Sequence, residues 1–397
     1  MNAPTPRRER MAHLDTAGTG RMTTAVRAVL TECVRLEDRY GPYGLEEHLG
    51  DVLHTEIHRR LAQLLNVPAA DTALFTGAAA AYHSFVSRIP LGPGDRIWTT
   101  PYEDVANLTT LYALRNRTRC RLEVVPLRPD GDLDLEWMAT RIDNDVALVS
   151  VAHVPSSCGI ANPVEAVGRI LAPHRCLYAV DASYAVGQLP VDAARIGCHL
   201  LTGDAWRFLR GPQTVGFAYV APRLEETLAE AGPIPAALPE SAAVAALNAA
   251  LADHTQTAEA PRETLLAQLR AAVQEIPGTE LIAPGRVQSG ILTFRHSDLP
   301  AALIRHKLAA HGVAVWKTVP QQTPLLMPER AGTTAVRASV HHDNSAQDVA
   351  RLGQALREIL HQARPRPARA LPRTPHAVAP MAGPSRHRAR RKLCLTN

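Results

Sequence analysis

Lysine is almost absent from this 397-residue chain. Of 43 basic residues 40 are arginine, and the three lysines are Lys307, Lys317 and Lys392. Residues 1–306 therefore offer no side-chain amine to condense with an aldehyde, because a guanidinium stays protonated at any working pH. Cysteine is scarce too: Cys33, Cys120, Cys158, Cys176, Cys198 and Cys394 are scattered, and no C-x-x-C pair is present. Most sit in apolar stretches and read as small buried hydrophobes, which argues against a disulfide framework and against a zinc site. Apolar runs of membrane-spanning length are missing, and MNAPTPRRERMAHLD has no apolar stretch behind its arginines. A cytoplasmic protein is expected.

Acid is missing from the C-terminal stretch. Residues 364–397 hold eight arginines and Lys392 without one Asp or Glu, so the formal net charge of +5 hides a mildly acidic body. Six prolines, no periodicity and no aromatic residue among the charges mark this stretch as a disordered extension, with nucleic acid an unlikely partner for it.

What remains is ordinary for a soluble globular protein of two domains, 46% hydrophobic and 20% charged. Residues 22–39 show helical periodicity, Arg39 to Gly44 form a turn-rich loop, and a second helix is expected over 46–65. From Ala73 to Val220, helical patterns alternate with the apolar runs RIWTT, RLEVVPL, VALVSVAHV, CLYAVDAS and VGFAYVA. Runs apolar on both faces, separated by helices, predict an α/β domain: a central, mostly parallel sheet with helices on both faces. Ligands of such sheets bind at the carboxyl ends of the strands. The expected organisation is an arm over 1–21, a large domain over 22–222, a linker and helix over 223–260, a small α+β domain over 261–363, and the tail.

Seven motifs occur in a telling order: His13-Leu-Asp-Thr-Ala-Gly-Thr-Gly20; Leu91-Gly-Pro-Gly-Asp-Arg96; His153-Val-Pro-Ser-Ser-Cys-Gly159 with Asn162-Pro-Val164; Val180-Asp-Ala-Ser-Tyr-Ala-Val-Gly187 with Pro190-Val-Asp192; Arg210-Gly-Pro212; Gly216-Phe-Ala-Tyr-Val220; and Val336-Arg-Ala-Ser-Val-His-His-Asp-Asn344. Together they resemble the class V aminotransferase family, the fold-type I enzymes of pyridoxal phosphate (PLP) that include cysteine desulfurases, isopenicillin N epimerase and the ergothioneine-pathway sulfoxide lyases. The resemblance covers residues 13–363 and implies a fold-type I large domain, a small C-terminal domain and a homodimer.

The resemblance also assigns roles. Asp181 matches the Asp that pairs with the pyridine nitrogen and makes the ring an electron sink. Arg337 matches the Arg that grips the substrate carboxylate with a bidentate fork. The other contacts are changed. Ala205-Trp206-Arg207-Phe208-Leu209-Arg210-Gly211-Pro212 aligns without a gap on the lysine motif, so Arg207 takes the lysine position and Trp206 the phosphate-side position before it. The phosphate loop is Gly77-Ala78-Ala79-Ala80-Ala81, its hydroxyl lost at Ala79. Asp104 stands at the ring-stacking position, Tyr184 where a Gln faces the ring, and Val215 where a Thr reaches a phosphate in a neighbouring subunit.

These changes lead to the expectation that no cofactor is covalently bound and that PLP or pyridoxamine phosphate (PMP) is held non-covalently at best. Asp104, His153, Tyr184 and Arg207 are the candidate catalytic residues. Asp181, Gly77, Ala78, Ala79 and Trp206 are the remnants of a cofactor site, and Arg337, His341 and His342 the candidate substrate contacts. The spacing of His and Asp matches no metal motif. Lys317 is a candidate replacement amine or a plain strand-edge lysine. Residues 318–335 hold no cysteine, which argues against persulfide chemistry. Three readings follow: a PLP-independent lyase- or transferase-type biosynthetic enzyme on a small amino-acid-derived, carboxylate-bearing substrate; an inactive or ligand-binding partner of an active homologue; and an enzyme using non-covalent PMP or PLP.

Overall fold

The computed structural model of the chain describes residues 10–232, 238–256, 262–326 and 334–363. The expected tail over 364–397, with Lys392 and Cys394, lies outside them, as do parts of the arm and linker.

The chain enters through a short strand, β1 (Ala12–His13), and a long helix, α1 (Thr24–Asp51), whose N-terminus is capped by the Thr23 side chain accepting from Val26 N–H. The loop expected at 39–44 is instead a kink inside α1. Gly41 takes φ 75°, Pro42 follows, and helical geometry resumes at once. A π-turn over Val52–Glu56 leads into α2 (Ile57–Leu65).

The large domain then alternates strand and helix: β2 (Thr72–Phe75), α3 (Ala78–Val86), β3 (Arg96–Thr99), α4 (Val105–Thr118), β4 (Arg121–Val124), α5 (Leu135–Arg141), β5 (Val146–Ala152), α6 (Val164–Leu171), β6 (Leu177–Asp181), α7 (Ala193–Ile196), β7 (Leu200–Asp204) and β8 (Gly216–Val220). Seven strands form one sheet in the order β2-β8-β7-β6-β5-β3-β4, and only β8 runs against its neighbours. Val149, Val151, Tyr178 and Val180 point into one core with Ile57, Leu61 and Leu65 of α2. Leu148, Leu177 and Ala179 point into a second core with Phe85, Leu111 and Leu114 of α3 and α4. Both sheet faces are thus covered, which is why the strands read as unbroken apolar runs.

Two helices follow, α8 (Pro222–Leu228) and α9 (Ser241–Gln256). The small domain comprises α10 (Arg262–Gln274), β9 (Thr279–Leu281), β10 (Ile291–His296), α11 (Ala301–Ala310), β11 (Val313–Ala314), β12 (Trp316–Thr318), β13 (Ala335–Ser339) and α12 (Ala346–Ala363). Its antiparallel sheet has the order β12-β13-β10-β9, and β1 pairs in parallel with β11. Among the described residues no helix is long and apolar enough to cross a membrane.

Candidate functional site

Four of the parallel strands, β3, β5, β6 and β7, deliver polar side chains at their carboxyl ends. Gly77 follows β2, Glu103 and Asp104 follow β3, His153 follows β5, Asp181 ends β6 and Asp204 ends β7. Close backbone approach assembles these ends. A Cβ on Gly216 would overlap the Gly77 and Ala78 backbone, so this glycine lets β8 pass the start of α3. A Cβ on Gly20 would overlap the Arg207 carbonyl, and Gly20 N–H donates to Trp206 O at 2.9 Å. That contact lays the His13–Gly20 motif over the turn after β7.

The floor is a chain of buried carboxylates. Glu103 is fully buried; its carboxylate accepts from Ser150 Oγ at 2.8 Å and from Asn107 Nδ2 at 3.0 Å. Asn107 Nδ2 also donates to Asp181 at 2.9 Å, and Ser183 N–H donates to the other oxygen of Asp181 at 2.9 Å. Burial pushes Glu103 up to about 7, aided by the nearby charges of Asp181 and Asp104. Burial also raises Asp181, with Asp104 and Asp204 adding to it. Asp104 is raised by burial and caps α4, accepting from Ala106 N–H at 3.0 Å; Ser156 Oγ donates to it at 3.4 Å. The backbone N–H of His153 donates to Asp181 O, its Nδ1 has no partner, and burial lowers its imidazole to about 4.

Arg207 crosses this floor with its guanidinium 3.8 Å from the Tyr184 ring centroid and 4.0 Å from that of Trp206. Nη1 donates to Ala17 O at 2.8 Å, and Nε donates to Asp204 at 3.3 Å. The other Asp204 oxygen accepts from Ala78 N–H at 3.0 Å. The first turn of α3 therefore already holds an anion. Ala79, exposed on the same turn, brings no hydroxyl.

Arg337, 2% exposed, reaches in from β13. Its Nη1 donates to Ser156 O at 3.0 Å, its Nη2 lies 3.6 Å from Asp15, and its guanidinium lies 5.9 Å from the Tyr184 ring. Register decides the question of Lys317. It pairs with Val336, whose side chain belongs to the small-domain core, whereas Trp316 pairs with Arg337. Directly paired residues share a face and successive residues alternate. Lys317 thus lies on the face turned away from Arg337.

Asp104, His153, Asp181, Tyr184, Trp206, Arg207 and Arg337 are accordingly brought together with Gly77 and Ala78. His341 and His342 are placed elsewhere. His341 sits against Phe208 and the Gly187 carbonyl, while His342 contacts Arg210 at 3.0 Å and lines a separate cavity of about 240 Å³ with Thr23, Ala250 and His254. Sequence reasoning missed Glu103 and Asn107, whose four-residue spacing across the start of α4 was the available signal. It also missed Asp15 and the capping of α3 by Asp204.

The comparisons agree with this architecture. The Aminotransferase class-V family model matches residues 14–237 and 230–352. A cysteine desulfurase of Klebsiella pneumoniae is 26% identical over 334 residues, covering 76% of this chain and 81% of the relative. Among solved structures, the cysteine desulfurase CsdA of Escherichia coli superposes with TM-score 0.79 at 20% identity over 89% of this chain and 95% of that one. A C-DES variant named for a replaced lysine, with glycine covalently linked to its PLP cofactor, superposes with TM-score 0.76 at 17% identity over 88% and 96%.

That last structure, with the desulfurase relatives, corrects one expectation. The sequence reading had no covalently bound cofactor, and PLP or PMP non-covalently at best; the comparisons point to PLP instead. With a family model spanning most of its length, the chain belongs to the class V aminotransferase family.

Proposed function

We propose that this chain is a divergent class V aminotransferase-like enzyme of lyase or transferase type. It acts on a small amino-acid-derived substrate bearing a carboxylate, with PLP as cofactor and Arg207 in the lysine position. The observation that carries this reading is Arg337, a buried guanidinium aimed at Ser156 and Tyr184 with its Nε unpartnered. A planar fork in that setting matches a carboxylate.

The ring side of the site suits PLP: Asp181, steadied by Asn107 and Ser183, is a carboxylate available to a pyridine nitrogen. When bound there, PLP supplies an electron sink. The phosphate side does not suit it as it stands, because Asp204 holds the α3 N-terminus. The chain's own proton-handling groups are the unpartnered His153 Nδ1, neutral above pH 4 or so, and the Asp104 carboxyl, raised by burial. Sulfur transfer through a persulfide is not part of this reading, because residues 318–335 contain no cysteine and Cys33, Cys120, Cys158, Cys176 and Cys198 are buried. The packing of Arg207 between two rings favours a second reading, a ligand-binding partner of an active homologue. A homodimer fits the apolar Val34 and Tyr43, 67% and 83% exposed on α1, and a cytoplasmic location is part of the same proposal.

Calorimetric titration with a panel of amino acids and their decarboxylated amines tests the reading. The protein is expected to bind carboxylate-bearing members selectively, and Arg337→Ala is expected to abolish the selectivity. Equal binding of acids and amines by the unaltered protein would refute it. Turnover of a bound amino acid separates the enzyme from the binding-partner reading.

A further inference from the structure

The mismatch on the phosphate side arises from one side chain. α3 begins where β2 ends, and its first N–H groups would be unpaired if nothing accepted from them. An anion at such a helix start gains both hydrogen bonds and the helix dipole. Here the anion is Asp204 Oδ1, 3.0 Å from Ala78 N. Asp204 is 8% exposed, sits at the end of the fully buried strand β7, and has its second oxygen latched by Arg207 Nε at 3.3 Å. Arg207 is in turn fixed by Ala17 O and by the Tyr184 and Trp206 rings. The carboxylate is therefore positioned from both sides. Asp104 and Asp181 lie close enough for Asp204 to add to the burial that raises each of them, so a phosphate dianion arriving here would meet three carboxylates.

We propose that Asp204 is a specificity-determining residue: a built-in anion that occupies the α3 N-terminus and discriminates against phosphate-bearing ligands, with Arg207 as its latch. The ligand-accepting state is one in which the carboxylate has left Ala78 N–H. Tight capture of a phosphate group then requires displacing a side chain, whereas an unphosphorylated ligand meets no such competitor. This inference concerns the phosphate end of the site and does not depend on the carboxylate role of Arg337.

The test compares affinities of the full-length protein for PLP, for unphosphorylated pyridoxal and for inorganic phosphate, by titration calorimetry. Asp204→Asn keeps the size and an acceptor for Ala78 N–H; Asp204→Ser keeps a smaller one; Asp204→Glu keeps the charge. The ratio of PLP to pyridoxal affinity is expected to rise about tenfold or more in the Asn and Ser variants, because one like charge leaves the anion position. Inorganic phosphate affinity is expected to rise with it, and the Glu variant to stay near the unaltered protein. Thermal melts identify variants that fail to fold, and the two neutral variants are independent of one another. An unchanged or lower ratio in a folded neutral variant would overturn the proposal. An Arg337→Ala protein is expected to leave the ratio unmoved, so failure here is distinguishable from failure of the proposed enzyme.

Discussion

The guanidinium of Arg207 lies 3.8 Å from the centroid of the Tyr184 ring, with Trp206 closing over it at 4.0 Å. A planar cation between two aromatic faces is not interchangeable with a compact ammonium. Arg207→Lys is predicted to lose the stack and the Ala17 contact and to lower stability by about 1–2 kcal/mol, read in thermal melts. The same variant places a primary amine above the ends of β6 and β7. Incubation with PLP followed by borohydride reduction is expected to add the cofactor's mass to the peptide containing residue 207. Loss of stability without that adduct would mean that residue 207 does not face the cofactor position.

Glu103 provides a pH prediction. Its folded-state value near 7 lies above that of an ordinary Glu, because burial disfavours the charged form. Between about pH 4.5 and 7 the folded protein then binds more protons at this site than the unfolded chain, so stability falls as pH rises. Glu103→Gln keeps one acceptor, for Asn107 Nδ2, turns an N–H donor toward the Ser150 hydroxyl, and removes the titration. The difference in stability between the two proteins is expected to change with pH by up to about 1.4 kcal/mol per unit across that window and to level off above it. Denaturant titrations at several pH values measure it, and a flat difference would show that Glu103 titrates normally.

Gly20 is predicted to resist even alanine. A Cβ there would overlap the carbonyl of Arg207, a backbone atom that cannot swing aside as a side-chain tip does. Gly20→Ala must push the His13–Gly20 segment off the turn after β7, breaking the Gly20–Trp206 and Arg207–Ala17 hydrogen bonds. A cost of about 1–3 kcal/mol is expected, together with increased hydrogen exchange at Gly20. By contrast Gly50→Ala, at a helical position with open space around it, is expected to be neutral or stabilising.

Periodicity made most of the fold legible. The runs RIWTT, RLEVVPL, VALVSVAHV, CLYAVDAS and VGFAYVA became β3, β4, β5, β6 and β8, because burial on both faces leaves no polar residue to interrupt them. β2 and β7 escaped notice. TALF is only four residues long, and LLTGD carries Thr, Gly and Asp, which resemble a turn although every one of them is buried. Motif order placed Arg207, Asp181 and Arg337 in one site. It could not place Asp204 on α3, since a contact across 126 residues depends on how two strand ends meet rather than on local pattern. Nor could it separate His341 and His342 from Arg337, for four and five residues past that buried strand position the chain has already turned toward Phe208 and Arg210.

Arg337 and Asp15 supply the last prediction. Arg337 is 2% exposed, and Asp15 Oδ1 lies 3.6 Å from its Nη2. Burial raises the Asp15 carboxyl, and the Arg337 charge holds that rise in check. Removing the guanidinium leaves a buried carboxylate without its counter-charge, which is costlier than removing both partners. Arg337→Ala alone is therefore expected to destabilise by about 3–5 kcal/mol near neutral pH. Without Arg337 the folded-state value of Asp15 climbs further, so this loss should shrink as pH falls and the carboxyl becomes neutral. Adding Asp15→Asn to Arg337→Ala should recover a substantial part of the loss, giving a non-additive double-mutant cycle. Additive effects, or a loss that does not vary with pH, would mean that Arg337 is held by Ser156 and Tyr184 alone and that Asp15 plays no part in poising it for a carboxylate.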